Sequence, residues 1–269
     1  MAAGPGHNDG LAARGHRFMT PRRRSQIGAL ALPWAMLAVA CAAAPLPPLS
    51  LDPGLDLPEG ARRVAQLARQ AVVSITYDYG EGAGGGRRSG SGFLIEPRLI
   101  VTDYHVVWGR PRFLTIVGPD GRLGPRGRLD TVSQPYDLAL IVLEKDWHPG
   151  PPLPLATEIV PGSMALALAG RWVPTACSRH TSLVRVNTVL VTDPSRGEIL
   201  ILPPTQVCRG FSGGPVLNMQ GEVIGVVRAG MRARLPGDDP GNRTNILWVA
   251  ATSVKHVREA LDAFHHQPK

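Results

Sequence analysis

The 269-residue chain is short of cysteine and aromatic side chains and has no visible internal repeat, and each shortage narrows its class. Its three cysteines are Cys41, Cys177 and Cys208. Cys177 and His180 stand at an acceptable spacing for two zinc ligands, but no second paired cluster accompanies them, so no metal and no other cofactor is expected. Aromatics make up 5% of residues, against 31 glycines and 26 prolines. That balance disfavours long helices and suits many short strands joined by turns. The uncharged stretch Ile27 to Ala44, rich in alanine and leucine, contains Pro33 and is too short and interrupted for a spanning helix. The net charge is +8, but residues 1–44 hold five arginines and one aspartate, leaving 24 basic and 20 acidic residues in 45–269. Half the excess belongs to the leading segment, and GRLGPRGR (121–128) reads as a solvated hairpin. No nucleic-acid partner is expected.

That leading segment, 1–44, reads as an export signal, with PRRRS (21–25) as its basic part. The polar stretch before it is long, so either Met19 is the true start or the extension belongs to a twin-arginine signal. Arg23-Arg24 matches the latter poorly, because Gln26 stands where an apolar residue is wanted. Ala38-Val39-Ala40 fits cleavage before Cys41. The same residues resemble a bacterial lipobox, with Ala38 in place of the usual leucine. A lipidated Cys41 would be the one membrane attachment, with the proline-rich stretch 45–60 as a stiff spacer. The other outcome is a soluble periplasmic or secreted product. Both readings put the protein in the periplasm, the cell envelope or beyond.

Along 61–265 the pattern is that of one catalytic unit in two halves. ARRVAQLARQ (61–70) is helical, and AVVSITYDY (71–79) alternates as a strand. GEGAGGGRRSG (80–90) reads as a loop too glycine-rich to pack. Strands follow at 91–96, 98–107, 112–118, 127–133 and 137–144, enough for a first barrel of six. After a proline-rich crossing (148–162), strands at 163–170, 183–192, 198–203, 215–230 and 246–251 make a second. TSVKHVREALDAF (252–264) has helical spacing at Val254, Val257, Leu261 and Phe264, with Thr252 as its cap. The fold class expected is all-β: two six-stranded antiparallel barrels and a C-terminal helix.

CRGFSGGP (208–215) sets Ser212 among glycines, and upstream VTDYHVV (101–107) presents His105 and YDLALIVL (136–143) presents Asp137. A serine hydroxyl needs a base to take its proton, histidine titrates near neutrality, and a carboxylate can orient the imidazole. The glycines leave room for the Gly210 and Ser212 amides to converge on an oxyanion. Asp103 and Asp130 are rival carboxylates that lack the strand-initiating context of Asp137. His148, His180 and His256 read as ordinary surface or partly buried residues, and His265-His266 as a terminal pair without function. With Cys41 set aside, Cys177 and Cys208 are either a disulfide or two buried thiols. A bridge would close a loop of about 30 residues and add roughly 3–4 kcal/mol.

GSGFLIEPRLIVTDYHVV, YDLALIVLE, GFSGGPVLNMQGEVIGVV and LWVAATSVKHVREAL resemble the Do-like (HtrA/DegP) branch of trypsin-like serine peptidases over roughly 61–265. The resemblance implies two barrels with the site in the cleft between them. It implies His105 as base, Asp137 as its orienter, Ser212 as nucleophile, and the Gly210 and Ser212 amides as oxyanion donors. Protein or peptide substrates follow. Cys208 stands where many such peptidases carry a bridged cysteine.

Three departures stand against the pattern. No PDZ domain follows in this sequence, so recruitment through one is not implied. Phe211 replaces the aspartate of digestive peptidases and the asparagine usual in Do-like ones, so a zymogen switch built on that aspartate is not expected. Arg228 lies on the strand that pairs with substrate, where a small residue is usual; it either narrows the cleft or favours acidic groups. Gln206 at the base of the primary pocket argues against lysine and arginine selectivity, and Gly230 leaves the pocket mouth open to a small or medium apolar residue. The reading from another class is a trypsin-like binding module that has lost hydrolysis.

Overall fold

The computed structural model describes residues 56–79, 86–109, 114–175, 179–186, 188–191, 198–202, 207–231 and 248–266. Helix α1 (Glu59–Ala68) opens on Pro58 with an acidic first turn and buries Ala61, Ala65 and Ala68 at helical spacing. A 3-10 turn, Arg69–Ala71, leads into the first barrel. Its strands are β1 (Val72–Tyr79), β2 (Gly86–Glu96), β3 (Leu99–Asp103), β4 (Thr115–Val117), β5 (Gly127–Ser133) and β6 (Leu138–Leu143). They run antiparallel in the order β4-β1-β2-β3-β6-β5, and a Leu114–Gly127 bridge joins the two edges. Phe93, Leu94, Ile100, Val101, Leu140 and Ile141 fill the interior.

β2 corrects the sequence reading of 80–90. It begins at Gly86, inside the glycine-rich stretch, because β1 pairs with it residue for residue from Val72–Phe93 to Tyr79–Gly86. Cross-strand pairing overrides the weak strand preference of glycine.

The second barrel holds β7 (Met164–Leu168), β8 (Thr181–Arg185), β9 (Thr188–Val191), β10 (Glu198–Leu202), β11 (Pro215–Leu217), β12 (Val223–Met231) and β13 (Trp248–Ser253). Its order is β8-β7-β11-β12-β13-β10-β9, a seven-stranded sheet. β8 and β9 are consecutive in sequence yet lie on opposite edges, so the sheet curls toward closure. The β11–β12 turn bends at Gly221, whose φ of 85° suits glycine.

Helix α2 (Val254–His265) packs back on both barrels and buries Val254, His256, Val257 and Ala260. Its cap is Ser253, which accepts a hydrogen bond from Lys255 N, and not Thr252. Thr252 lies on β13 and donates instead to the Tyr136 carbonyl (2.8 Å). His256 is buried more deeply than the surface or partly buried setting expected: its ring stacks on Tyr136 at 3.7 Å and its Nε2 accepts from Glu198 N (2.7 Å).

Candidate active site

The β3–β6 register pairs Asp103 with Leu138, which sets the turn after β3 against the turn before β6. His105 lies in the former, a 3-10 turn at Tyr104–Val106, just past the strand that was expected to carry it. Asp137 lies in the latter with φ 55°, a left-handed conformation that aspartate tolerates better than most residues. Tyr104 N donates to the Asp137 carbonyl (2.9 Å), and His105 N donates to Asp137 Oδ1 (2.8 Å). His105 Nδ1 stands 2.7 Å from Asp137 Oδ2. An ionised carboxylate only accepts, so the ring proton sits on Nδ1 and Nε2 is left as a base.

The rival carboxylates separate by geometry. Asp130 pairs with Arg128 at 2.7 Å. Asp103 is wholly buried, 3.7 Å from His105 Nδ1, with Oδ2 accepting from Gly213 N (2.9 Å). Burial pushes its pKa well above the usual carboxylate range, and the Asp137 charge pushes the same way. The Gly213 amide and Arg228 oppose the shift without cancelling it. Burial thus favours the protonated form of Asp103, which leaves Asp137 as the hydrogen-bonded partner of the imidazole. Asp103, His105 and Asp137 offer three ligand atoms within 4.8 Å of one another. Arg228 Nε lies 3.4 Å from Asp137 Oδ2 and opposes a cation there.

Arg228 is inward-facing, its side chain only 22% exposed. Its charge rests on the carboxylate that orients His105, so it does not stand free in the pocket.

Ser212 sits on a loop fixed from several sides. Gly210 has φ 106°, and a Cβ there would meet the Pro174 carbonyl at 2.9 Å. Gly213 has φ 81°, and a Cβ would lie 2.1 Å from the Ser91 carbonyl. Phe211 is fully buried in the second barrel with Val207, Val216 and Ile224, so this departure anchors the loop. Cys208 is disulfide-bonded. Ser91 reaches across from β2: its N donates to the Ser212 carbonyl and its Oγ to the Gly210 carbonyl, both at 2.8 Å. The Gly210 and Ser212 amides have no acceptor among the described residues. The Ser212 hydroxyl donates to the Arg228 carbonyl (3.2 Å) and not to His105. His105, Gly210 and Ser212 line one cleft of about 410 Å³.

Of the other residues singled out from the sequence, Cys41, Cys177 and Gln206 lie outside the described residues. Gly230 falls on β12, opposite Val249. Sequence reasoning missed Ser91 and the burial of Asp103. Ser91 had one signal, its place between Gly90 and Gly92. A Cβ on Gly90 would be 3.2 Å from the Ser212 carbonyl, so the barrels approach closely there.

Comparison with known proteins agrees with this geometry. The trypsin-like peptidase domain pattern matches residues 90–226. The mitochondrial serine protease HTRA2 of Drosophila pseudoobscura pseudoobscura is 30% identical over 176 residues, 60% of this protein and 40% of its own length. That of Drosophila willistoni is 29% identical over 219 residues, 71% of this protein and 49% of its own. The present sequence thus spans less than half the length of these relatives. The crystal structure of the Rv3671c protease in its inactive form shares the fold, with a TM-score of 0.55 at 19% identity over 80% of this protein and 96% of that one. The protein belongs to the trypsin-like peptidase family.

Proposed function

We propose that the protein is an exported serine endopeptidase that cleaves protein substrates through an acyl-enzyme. Ser212 attacks the scissile carbonyl while His105 Nε2 takes its proton, and Asp137 holds and stabilises the imidazolium. The Gly210 and Ser212 amides receive the oxyanion, each worth about 3–4 kcal/mol. His105 then gives its proton to the leaving amine, and water releases the acyl group by the same route. The observation carrying this reading is the 2.7 Å His105–Asp137 pair, which faces Ser212 across a shared cleft. A rotation of the Ser212 hydroxyl away from the Arg228 carbonyl completes the array, a motion open to an ungated side chain on the ps–ns timescale.

A fluorophosphonate probe tests it: the native protein is labelled on Ser212, and Ser212→Ala is not. The position of the Ser212 hydroxyl also favours a second reading, a trypsin-like module that binds without cleaving; failure of native protein to label selects it. Export rests on the sequence of 1–44 and is supported by the bridged Cys208, which belongs to oxidising compartments. Mass spectrometry of protein from its native host is expected to find a product starting at Cys41 or slightly later, diacylated if the lipobox is read. An intact N-terminus on a cytoplasmic protein overturns this.

A further inference from the structure

The cleft beside His105 carries a feature that the triad chemistry does not use. Its walls include Arg87, Arg88 and Arg209 together with Tyr79 and Pro174 and, among the described residues, contain no carboxylate side chain. Arg87 is tied at the rim to Asp78 (2.9 Å). Arg88 is built in. Its guanidinium lies 5.1 Å from the centroids of both Tyr79 and Trp108 and donates to the His105 carbonyl (3.3 Å). Trp108 is in turn held by the Tyr77 hydroxyl on its own carbonyl. A cation held between two aromatic rings is fixed without being neutralised. Arg209, immediately before Gly210, is exposed and has no acidic partner among the described residues.

The side of the scissile bond follows from the reaction. The leaving amine takes its proton from His105, so the half of the substrate beyond the cut departs along that residue. On the peptidase reading the acyl half lies along β12, whose Arg228 carbonyl accepts from the Ser212 hydroxyl, and no residue of β12 lines this cleft. The cleft therefore faces the leaving half.

We infer that this cleft is a leaving-side subsite that selects aspartate or glutamate within the first few residues after the scissile bond, read by Arg88 and Arg209. The inference rests on the peptidase reading and names its substrate class. Arg88 offers a fixed cation and Arg209 an exposed one on the same cleft, so an acidic side chain meets positive charge in more than one rotamer. Partly exposed charges act mainly through encounter and are screened by salt.

The test uses quenched fluorogenic peptides with one acyl half and either glutamate or glutamine two residues after the cut. In native protein the glutamate peptide is expected to show a kcat/KM about tenfold higher at low salt, a ratio that shrinks at high salt. Arg88→Met lowers the ratio, and Arg209→Glu turns it toward a matched lysine peptide, an inversion that loss of folding cannot produce. Equal rates for the two peptides, or a preference unchanged in both variants, overturns the subsite while leaving the peptidase intact. Binding of the same pair to Ser212→Ala gives a readout without turnover. Tighter binding of the glutamate peptide, lost in the Arg88→Met background, supports the subsite even where no cleavage occurs. Equal affinities overturn it.

Discussion

The first barrel holds His105 and Asp137 by hydrogen bonds between two neighbouring turns, whereas the second holds Ser212 on a loop tied from four directions. The first arrangement follows from strand register alone: once β3 and β6 pair, the two turns are adjacent. The second depends on a buried phenylalanine, a disulfide, Ser91 from the other barrel, and the Gly213 amide on Asp103. Damage to the first should therefore cost chemistry and spare the fold. Damage to the second should cost both.

The largest effect is expected where the two halves meet. Ser212→Ala or His105→Ala should lower kcat by about 10⁶-fold, and the double variant should add little, because the residues act as a unit. Near-normal turnover by purified Ser212→Ala would show the assignment to be wrong. Asp137→Asn confines the damage to the first barrel: kcat should fall about 10⁴-fold. Its melting temperature should barely move, since asparagine also accepts the left-handed backbone. A large loss of stability in that variant would break the contrast.

Phe211→Ala attacks the second barrel's anchor and should cost about 3–5 kcal/mol in denaturant unfolding, with a fall in turnover. Cys208→Ser should cost about 3 kcal/mol and also reduce turnover, because the Gly210 amide must keep its aim. Peptide mapping of alkylated, unreduced protein checks the pairing: recovery of Cys177 and Cys208 both alkylated would remove the bridge from the account. The smallest effect is one of pH. Asp103, buried near Asp137, Arg228 and His105, holds its proton more tightly in the fold than in the unfolded state, where it ionises above about pH 3.9. Below that pH both states are protonated. As pH rises the unfolded state alone gives up the proton, so the native protein loses stability until the raised folded pKa is passed. Asp103→Asn does not titrate there, and its stability relative to native should rise from pH 4 to 8. A pH-independent difference would place a charged Asp103 in the fold.

His105, Asp137 and Ser212 could be singled out because each sits in a short motif whose neighbours set its conformation, and β6 could be read from its unbroken apolar run. Arg228 was legible as an oddity but not as the partner of Asp137, since that contact joins β12 of one barrel to a turn of the other. Asp103 looked like a poor rival for Asp137. Its burial against the nucleophile loop arises only when the barrels dock. The first part of β2, 86–90, was hidden by its glycines, which carry no side-chain pattern. His256 was misjudged because a histidine on a helix shows no sign of the distant Tyr136 ring on which it stacks.

That stack and the Thr252 hydroxyl bond hold Tyr136, the residue before Asp137, from elements near the far end of the sequence. A polypeptide made from its N-terminus exposes His105, Asp137 and Ser212 on leaving the ribosome while this clamp is still unsynthesised. Folding contacts of such long separation form late. On the peptidase reading, competence to cut waits for helix α2, and the growing polypeptide is spared self-cleavage while its loops are still open to attack.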